Sequence, residues 1–478
     1  MRQARRRSLM MARPRSSPTI PSIRPDLSVE ERLVRVLQGN LDFHEQDSRY
    51  SSHNFHSFPA KFPPQLPRVF IESLTIPGEA VLDPMVGSGT AVLEALLSGR
   101  RAIGTDIDPL ALLISAVKTT PLSPIAAIRA SRSVVQRAYA RIEALGRDSL
   151  PGVSAEWDEE TRAFVNYWFA PDTQRELSAL IQEIRLVDEP ALRAFLLVAF
   201  SATIITKSGG VSLAYDLGHT RPHRAKAAYT KDGELIYRAE KHLSSESRVA
   251  RFTKRLRSPL QEFTRRAEIN ASGLIQPSQA APSAAISRAD CQSLPYLGSS
   301  VDLIVTSPPY ASNAIDYMRA HKFSLVWMGR AIRELGLSRG KYIGGESSSR
   351  VTYEPMPSLA ASTMDALRVR DPRKSVVLHR YFSEMRRVLT EMHRVLKPGK
   401  AAILVVGTSQ MRGVDTKTHE CLSEIAKTVG FRVAGIAERH LDRDRRMLPS
   451  SASANSGSQI EQRMHSEYVL GFYKPNSP

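Results

Sequence analysis

The sequence predicts an α/β fold on a mostly parallel sheet, interrupted by a long helical insertion. Three observations carry that expectation. Residues 80–106, AVLDPMVGSGTAVLEALLSGRRAIGTD, read as a short apolar strand, a glycine-containing turn, a helix of good formers and a second strand. Residues 301–310, VDLIVTSPPY, are an apolar, β-branched run that stops abruptly at two prolines, as a buried parallel strand feeding a rigid loop does. Between Ser123 and Pro282 the strand–helix rhythm gives way to helical spacing, and it resumes afterwards.

The chain has 478 residues, 42% of them hydrophobic, enough to bury the core of a catalytic domain together with a sizeable insertion. Its longest apolar run, near Phe195–Ile205, is too short to span a bilayer, and no apolar signal-peptide core is visible. These features read as a soluble, cytoplasmic protein without a membrane partner. The two cysteines, Cys291 and Cys421, are far apart and supply neither a disulfide framework nor a metal cluster, so no metal site is expected.

Formal net charge is +18, and it is unevenly placed. Residues 1–25 hold seven arginines and no acid, residues 221–266 hold thirteen Lys/Arg against five Asp/Glu, and together they carry 15 of the 18 charges. The rest is near neutral, as an enzyme core would be, so the basic segments read as surfaces for a polyanion. Arginine over-use by a GC-rich genome is the alternative. Residues 1–25 lack apolar periodicity and read as disordered. A mitochondrial transit peptide, or a start upstream of a true initiator at Met10 or Met11, remains open for them.

In chain order, Asp26–Gly39 reads as a short amphipathic helix through Leu33, Val34, Val36 and Leu37, and His53–Leu74 as a loop entering a helix through prolines. Within Asp83–Thr90, glycines at 87 and 89 let the backbone approach a bound nucleoside where a side chain would clash. Val92 occupies the third position of a Gly-x-Gly-x-x-Gly dinucleotide fingerprint, which argues against a nicotinamide or flavin enzyme. Asp106, sixteen residues after Thr90 at the end of the second strand, suits ribose hydroxyls, and Asp108-Pro109 reads as N-cap and first turn of the next helix.

Helical spacing marks Ser123–Gly146, Asp172–Val187 and Pro190–Thr206. Lys207–Arg266 mixes Tyr215, His219, His223, Tyr229 and Tyr237 with basic residues, which suits nucleic acid, or else a polar linker. Ser272–Ser287 reads as a flexible return, and Asp290 follows a weak third strand. Asn313–Gly329 reads as a helix, Arg333–Lys374 as an aperiodic lid or nucleic-acid loop, and Tyr381–Leu396 as an amphipathic helix stopped by Lys397-Pro398-Gly399. A buried strand at Ala401–Val406, a helix at Cys421–Val429, strands at Arg432–Ile436 and Tyr468–Tyr473, and a Ser450–Ser458 loop complete the chain.

Ser307-Pro308-Pro309-Tyr310 resembles the catalytic motif of the DNA amino-methyltransferases, which methylate exocyclic base amines. Serine in the first place leans toward cytosine N4 over adenine N6. Asp83–Thr90, DPMVGSGT, resembles their cofactor motif Asp-Pro-Phe-x-Gly-x-Gly-Thr, with Met85 where phenylalanine is usual, and Phe58–Pro63 resembles the segment that packs over the methionine end of the cofactor. Cys291 is not preceded by proline as in the cysteine-nucleophile C5-cytosine enzymes. The resemblance covers about residues 53–120 and 285–473 and departs from the family pattern in placing the insertion before the Asp290 segment.

The resemblance implies a Rossmann-like class I S-adenosylmethionine-dependent methyltransferase fold with a seven-stranded sheet. Residues 26–120 and 286–478 would form the catalytic domain, and residues 121–285 the candidate target-recognition region. S-adenosylmethionine would be held by Lys61, Phe62, Asp83, Met85, Gly87, Gly89, Thr90, Asp106 and Asp290, with Lys61 meeting a carboxylate and Phe62 walling the pocket. Ser307, Pro308, Pro309 and Tyr310 would be catalytic: Ser307 and the Pro308 carbonyl accept the amine hydrogens, and Tyr310 stacks on a flipped base. DNA, bound through residues 1–25 and 221–266, is the implied partner, and a cognate restriction endonuclease is a further one. Adenine-N6 methylation, a tRNA or rRNA base-amine methyltransferase, and an inactive DNA-binding module are the alternatives.

Overall fold

Seven strands form the central sheet of the computed structural model, which describes residues 26–44, 46–58, 61–146, 155–206, 208–217, 222–240, 244–275, 284–311, 317–345, 351–407, 409–441 and 466–476. They are β1 (Ala80–Asp83), β2 (Arg101–Asp106), β3 (Ala284–Arg288), β4 (Val301–Thr306), β5 (Leu396–Gly407), β6 (Arg432–His440) and β7 (Ser466–Tyr473). Their spatial order is β6-β7-β5-β4-β1-β2-β3. Only β7 runs antiparallel, between β5 and β6. This is the seven-stranded, mostly parallel sheet of a class I methyltransferase. Strand order reverses between β1 and β4, so the crevice beyond their carboxyl ends is where a ligand fits.

β4 is buried along its whole length because helices cover both faces of the sheet. Leu303 and Val305 point one way, into a core with α1 (Val29–Leu37), α2 (Gln65–Leu74) and α3 (Thr90–Leu97). Ile304 points the other way, into a separate core. That two-residue alternation is what an apolar run must satisfy when sandwiched between two helical layers.

The helices of residues 109–325 are α4 (Pro109–Thr119), α5 (Pro124–Leu145), α6 (Glu159–Trp168), α7 (Pro171–Arg185), α8 (Pro190–Ile204), α9 (Glu246–Arg251), α10 (Pro259–Ala271) and α11 (Tyr317–Leu325). Residues from α4, α5, α7, α8, α10 and α11, including Ile114, Leu180, Phe195, Phe263 and Phe323, share one continuous core. The insertion is therefore packed onto the catalytic domain along α4. Lys207–Arg266 differs from a linker: Leu235–Arg238, Ala227–Tyr229 and Thr253–Arg255 form a small three-stranded sheet in that order.

Arg333–Lys374 also differs from the aperiodic loop expected. It contains α12 (Ile332–Arg339) and α13 (Ser358–Arg370), and it runs into α14 (Pro372–Val395), nine residues longer at its start than the periodicity indicated. The helical stripe of α13 is hidden because its buried positions, Ala360, Thr363 and Leu367, are mostly small or polar. α15 (Thr418–Thr428) completes the second layer with α13 and α14. Residues 1–25, 312–316 and 450–458, and the middle of the Ser272–Ser287 return, lie outside the described residues. Among the described residues no helix is long and apolar enough to cross a membrane.

The Lys397-Pro398-Gly399 turn is fastened by Asp302 at the buried start of β4. One carboxylate oxygen accepts from Lys397 Nζ at 2.7 Å and the other from the Ala80 backbone N–H at 3.0 Å. Replacing Asp302 with Ala leaves the Ala80 donor buried and unpaired, a cost of about 1–3 kcal/mol. A thermal melt of Asp302→Ala should fall by several degrees, and an unchanged melting temperature would contradict this role.

Candidate active site

The carboxyl ends of β1, β2, β3 and β4 converge on one cleft. β1 ends in Asp83, whose Oδ1 accepts from Thr306 Oγ1 at 2.7 Å and from the Met85 N–H at 3.2 Å. The chain then makes its glycine turn. Gly87 sits at φ +46° and Gly89 at φ +75°, where L side chains are strained. A Cβ on Gly89 would lie 2.9 Å from Ser115 Oγ and 3.0 Å from Ser115 Cα on α4, so the turn can approach α4 only as glycine.

Asp106 holds the turn against the end of β2. Its Oδ2 accepts from the Gly87 N–H at 2.9 Å and its Oδ1 from the Asp108 N–H at 2.9 Å. Each carboxylate oxygen keeps a second lone pair that can accept from a ribose hydroxyl. Burial, reinforced by the neighbouring Asp108 charge, raises the Asp106 carboxyl to about 6. Burial likewise raises Asp83 to about 7, against the lowering effect of its bonds from Thr306 and Met85.

Of the residues singled out in the sequence, Met85, Asp106, Asp290, Ser307 and Pro309 line this cleft together. Asp83, Gly87, Gly89 and Thr90 shape it from behind: Thr90 opens α3, with its hydroxyl 3.0 Å from Ser88 Oγ. Two expectations for the Phe58–Pro63 segment are corrected. Phe62 is buried in the α2 core with Leu66 and Phe70 rather than walling the cleft, and exposed Lys61 donates to the His53 carbonyl at 2.9 Å. Phe58, four residues before Phe62, is the ring that lines the cleft, and it lies 3.4 Å from where a Gly87 Cβ would stand. In a segment that repeats Phe-Pro, sequence alone offers no reason to choose the first ring over the second.

The Ser307–Tyr310 loop is also partly turned inward. Ser307 and Pro309 face the cleft, Pro308 is buried, and the Tyr310 ring does not present the flat face expected of it. Its hydroxyl donates to Glu467 Oε1 at 2.9 Å instead. Tyr317, at the start of α11, lines the cleft and stacks on Phe58 with centroids 5.2 Å apart.

Asp108, expected to be a helix cap, does cap α4, accepting from the Leu110 and Ala111 N–H groups at 2.8 and 3.2 Å. Its second oxygen has a further task. It lies 2.7 Å from His321 Nδ1 and accepts from Tyr342 Oη at 2.9 Å, tying β2 to α11 and to the Lys341–Ile343 segment that closes one side of the cleft. Burial pushes the Asp108 carboxyl up, but His321 and these hydrogen bonds outweigh it and hold the group below its ordinary value. Sequence carried no signal for this, because the partners are more than 200 residues away.

Comparison with known proteins follows the same outline. A family model described as DNA methylase matches residues 40–116, the stretch holding Phe58, the glycine turn and Asp106. A type II methyltransferase of Kocuria varians, M.MvaI, is 22% identical over 469 residues, covering 93% of this chain and 96% of its own. The chain is thus similar to DNA methyltransferases along nearly its whole length. Another relative, the type II methyltransferase M.AvaI of a Nostoc species, is 22% identical over 75% of this chain and 74% of its own. Among solved structures, a TehB-like SAM-dependent methyltransferase of Corynebacterium glutamicum aligns over 85% of this chain and 86% of its own, at 10% identity and a TM-score of 0.27.

The cleft fits S-adenosylmethionine, the cofactor that the sequence resemblance implies. Phe58, Met85 and Ile107 offer apolar faces for the adenosyl group, Asp106 offers acceptors for ribose hydroxyls, and Asp290 offers one for an adenine amine.

The raised carboxyls make a pH prediction. Because Asp83 and Asp106 sit above the ordinary carboxylate value in the folded protein, their protonated forms favour folding, and that stability is fully present only below about pH 4. It is lost as pH rises toward 6–7, at up to roughly 1.4 kcal/mol per pH unit for each group. Asp83→Asn keeps an oxygen acceptor for Thr306 and Met85 while removing the charge. Its melting temperature should therefore fall less than that of the wild type between pH 5 and 8, and parallel curves would refute the assignment.

Proposed function

We propose that this methyltransferase transfers a methyl group to an exocyclic amine of a flipped DNA base, with cytosine N4 the preferred acceptor. The observation that carries the reading is the opening of Ser307 and Pro309 onto the same cleft as Met85, Asp106 and Asp290. An aromatic amine is a weak nucleophile because its lone pair is delocalised into the ring, so the enzyme must orient it. Prolines at 308 and 309 carry no N–H, which leaves the loop carbonyls without a local donor. The Ser307 hydroxyl or carbonyl and the Pro308 carbonyl accept the two amine hydrogens and localise the lone pair.

Bound S-adenosylmethionine supplies the methyl group on a sulfonium centre. Tyr317, backed by the stacked Phe58 ring, gives the base an aromatic wall and excludes water from the reacting atoms. The serine that begins the loop supports cytosine as the target, as the resemblance implies. A restriction endonuclease reading the same duplex sequence is the partner that a type II role implies. Analysis of nucleosides from methylated duplex should yield N4-methylcytosine, whereas N6-methyladenine or product found only in RNA would overturn the assignment.

The insertion, residues 121–285, is the region we assign to duplex recognition. Its cations are not equivalent. Lys254 donates to the Ser208 and Ala214 carbonyls at 2.9 and 2.6 Å, Arg255 to the Lys231 carbonyl, and Arg257 to Glu262 at 3.1 Å, so each of these three already has an acceptor within the protein. Arg224 is sandwiched between Tyr167 and Tyr237, its guanidinium carbon 4.6 and 4.2 Å from the ring centres. Lys231, Arg248 and Arg251 are exposed and suit phosphates. Charge reversal at these three should weaken duplex binding and flatten its log–log salt dependence by roughly 0.9 for each phosphate no longer neutralised. An unchanged slope in a salt titration would move recognition elsewhere.

A further inference from the structure

The loop that meets the amine is held at both ends by side chains bonded to buried acids. Upstream, Thr306 Oγ1 donates to Asp83 Oδ1 at 2.7 Å. Downstream, Tyr310 Oη donates to Glu467 Oε1 at 2.9 Å, and the ring itself is only 7% exposed. Glu467 lies near the start of β7, between Gly407 of β5 and Arg439 of β6 in the strand register. Its other oxygen accepts from Arg439 Nη1, and this ion pair is buried. Arg439 is fixed in turn, with Nε donating to the Leu41 carbonyl at 3.0 Å, while the His440 N–H donates to Asp42 Oδ1 at 2.7 Å.

We propose that Tyr310 is a positioning residue, whose hydroxyl link to Glu467, backed by Arg439, sets the Ser307 and Pro308 carbonyls at the cleft. The inference rests on the proposed amine-methylating role of that loop. Its physical basis is the absence of backbone donors at Pro308 and Pro309, which leaves the loop to be fixed by side chains, with the Tyr310 hydroxyl meeting both Ser307 and Glu467. The nearest side-chain anchors are therefore Thr306 and Tyr310. Acceptor geometry for methyl transfer tolerates errors of only about 0.5 Å, so a loop fixed at one end alone would orient the amine poorly. A ring swung out to stack on a base would have to break this link and leave Glu467 Oε1 buried without its donor.

Phenylalanine separates the two roles, because it keeps the ring and removes only the hydroxyl. With the full-length protein, duplex DNA and S-adenosylmethionine, Tyr310→Phe should lose kcat by roughly tenfold or more, close to the loss in Tyr310→Ala. KM for duplex and Kd for cofactor should stay within about twofold. Glu467→Ala, which removes the acceptor, should also lower kcat, and the double variant Tyr310→Phe/Glu467→Ala should be no worse than Glu467→Ala alone, since both changes cut one link. Wild-type kcat in Tyr310→Phe beside an impaired Tyr310→Ala would make the ring the functional element and overturn the proposal.

Hydrogen exchange supplies a readout independent of turnover. The Ser307, Tyr310 and Ala311 amides should exchange faster in Tyr310→Phe, with residues 80–83 unchanged. Unaltered exchange overturns the link. A wild-type protein that methylates no DNA, yet shows this faster exchange in the variant, would sink the proposed function and leave the positioning role standing.

Discussion

The hydrogen bond from Thr306 to Asp83 joins the two halves of the candidate site. β1 delivers the glycine turn and β4 delivers the Ser307–Tyr310 loop, and the two strands are neighbours where the sheet reverses its order. Parallel pairing fixes their separation but not the conformations of the loops beyond them. A buried hydroxyl–carboxyl contact of 2.7 Å does, because it makes the last residue of each strand the partner of the other. Asp83 tolerates burial by accepting this bond and the Met85 N–H, so one acid shapes the glycine turn and anchors the loop start at once. The buried polar pair specifies geometry more than it adds stability.

The same economy recurs at Asp106 and Asp108. Both Asp106 oxygens are occupied by backbone N–H groups, so this acid folds the turn before any ribose arrives. Asp108 caps α4 and simultaneously receives His321 and Tyr342, from segments far along the chain. A wall of the cleft is thus held by acids whose hydrogen bonds are satisfied within the protein. Little reorganisation is left for the moment of binding, which is the condition for electrostatic preorganisation.

These patterns explain what was legible in the sequence. Local chemistry was: two glycines at positive φ, an apolar strand with a strict two-residue alternation, and a proline pair each constrain their own backbone, so the sheet, the turn and the loop could be read from adjacent residues. Long-range side-chain geometry was not. Phe58 and Phe62 stand in nearly identical sequence surroundings, and only the approach of Gly87 selects the first. Tyr310 looked like a stacking face because nothing near it in sequence reveals Glu467, 157 residues later. Charge counts alone miss a related detail, since Lys254, Arg255 and Arg257 already meet acceptors within the protein, the two arginines while remaining exposed.

The shared core of the insertion constrains how recognition meets chemistry. Ser201 on α8 donates to Ser324 on α11 at 2.9 Å, and His56 Nε2 lies 2.9 Å from the same Ser201 oxygen, beside the loop that carries Phe58. α11 also carries Tyr317 into the cleft and His321 to Asp108. One buried network therefore connects an insertion helix, the aromatic wall of the cleft and the acid that caps α4. Close-packed interiors shift as discrete units rather than deforming smoothly, so the insertion cannot move against α11 without displacing Tyr317 or breaking these bonds. A duplex held by the insertion, as proposed, would therefore lie at a fixed distance from Ser307.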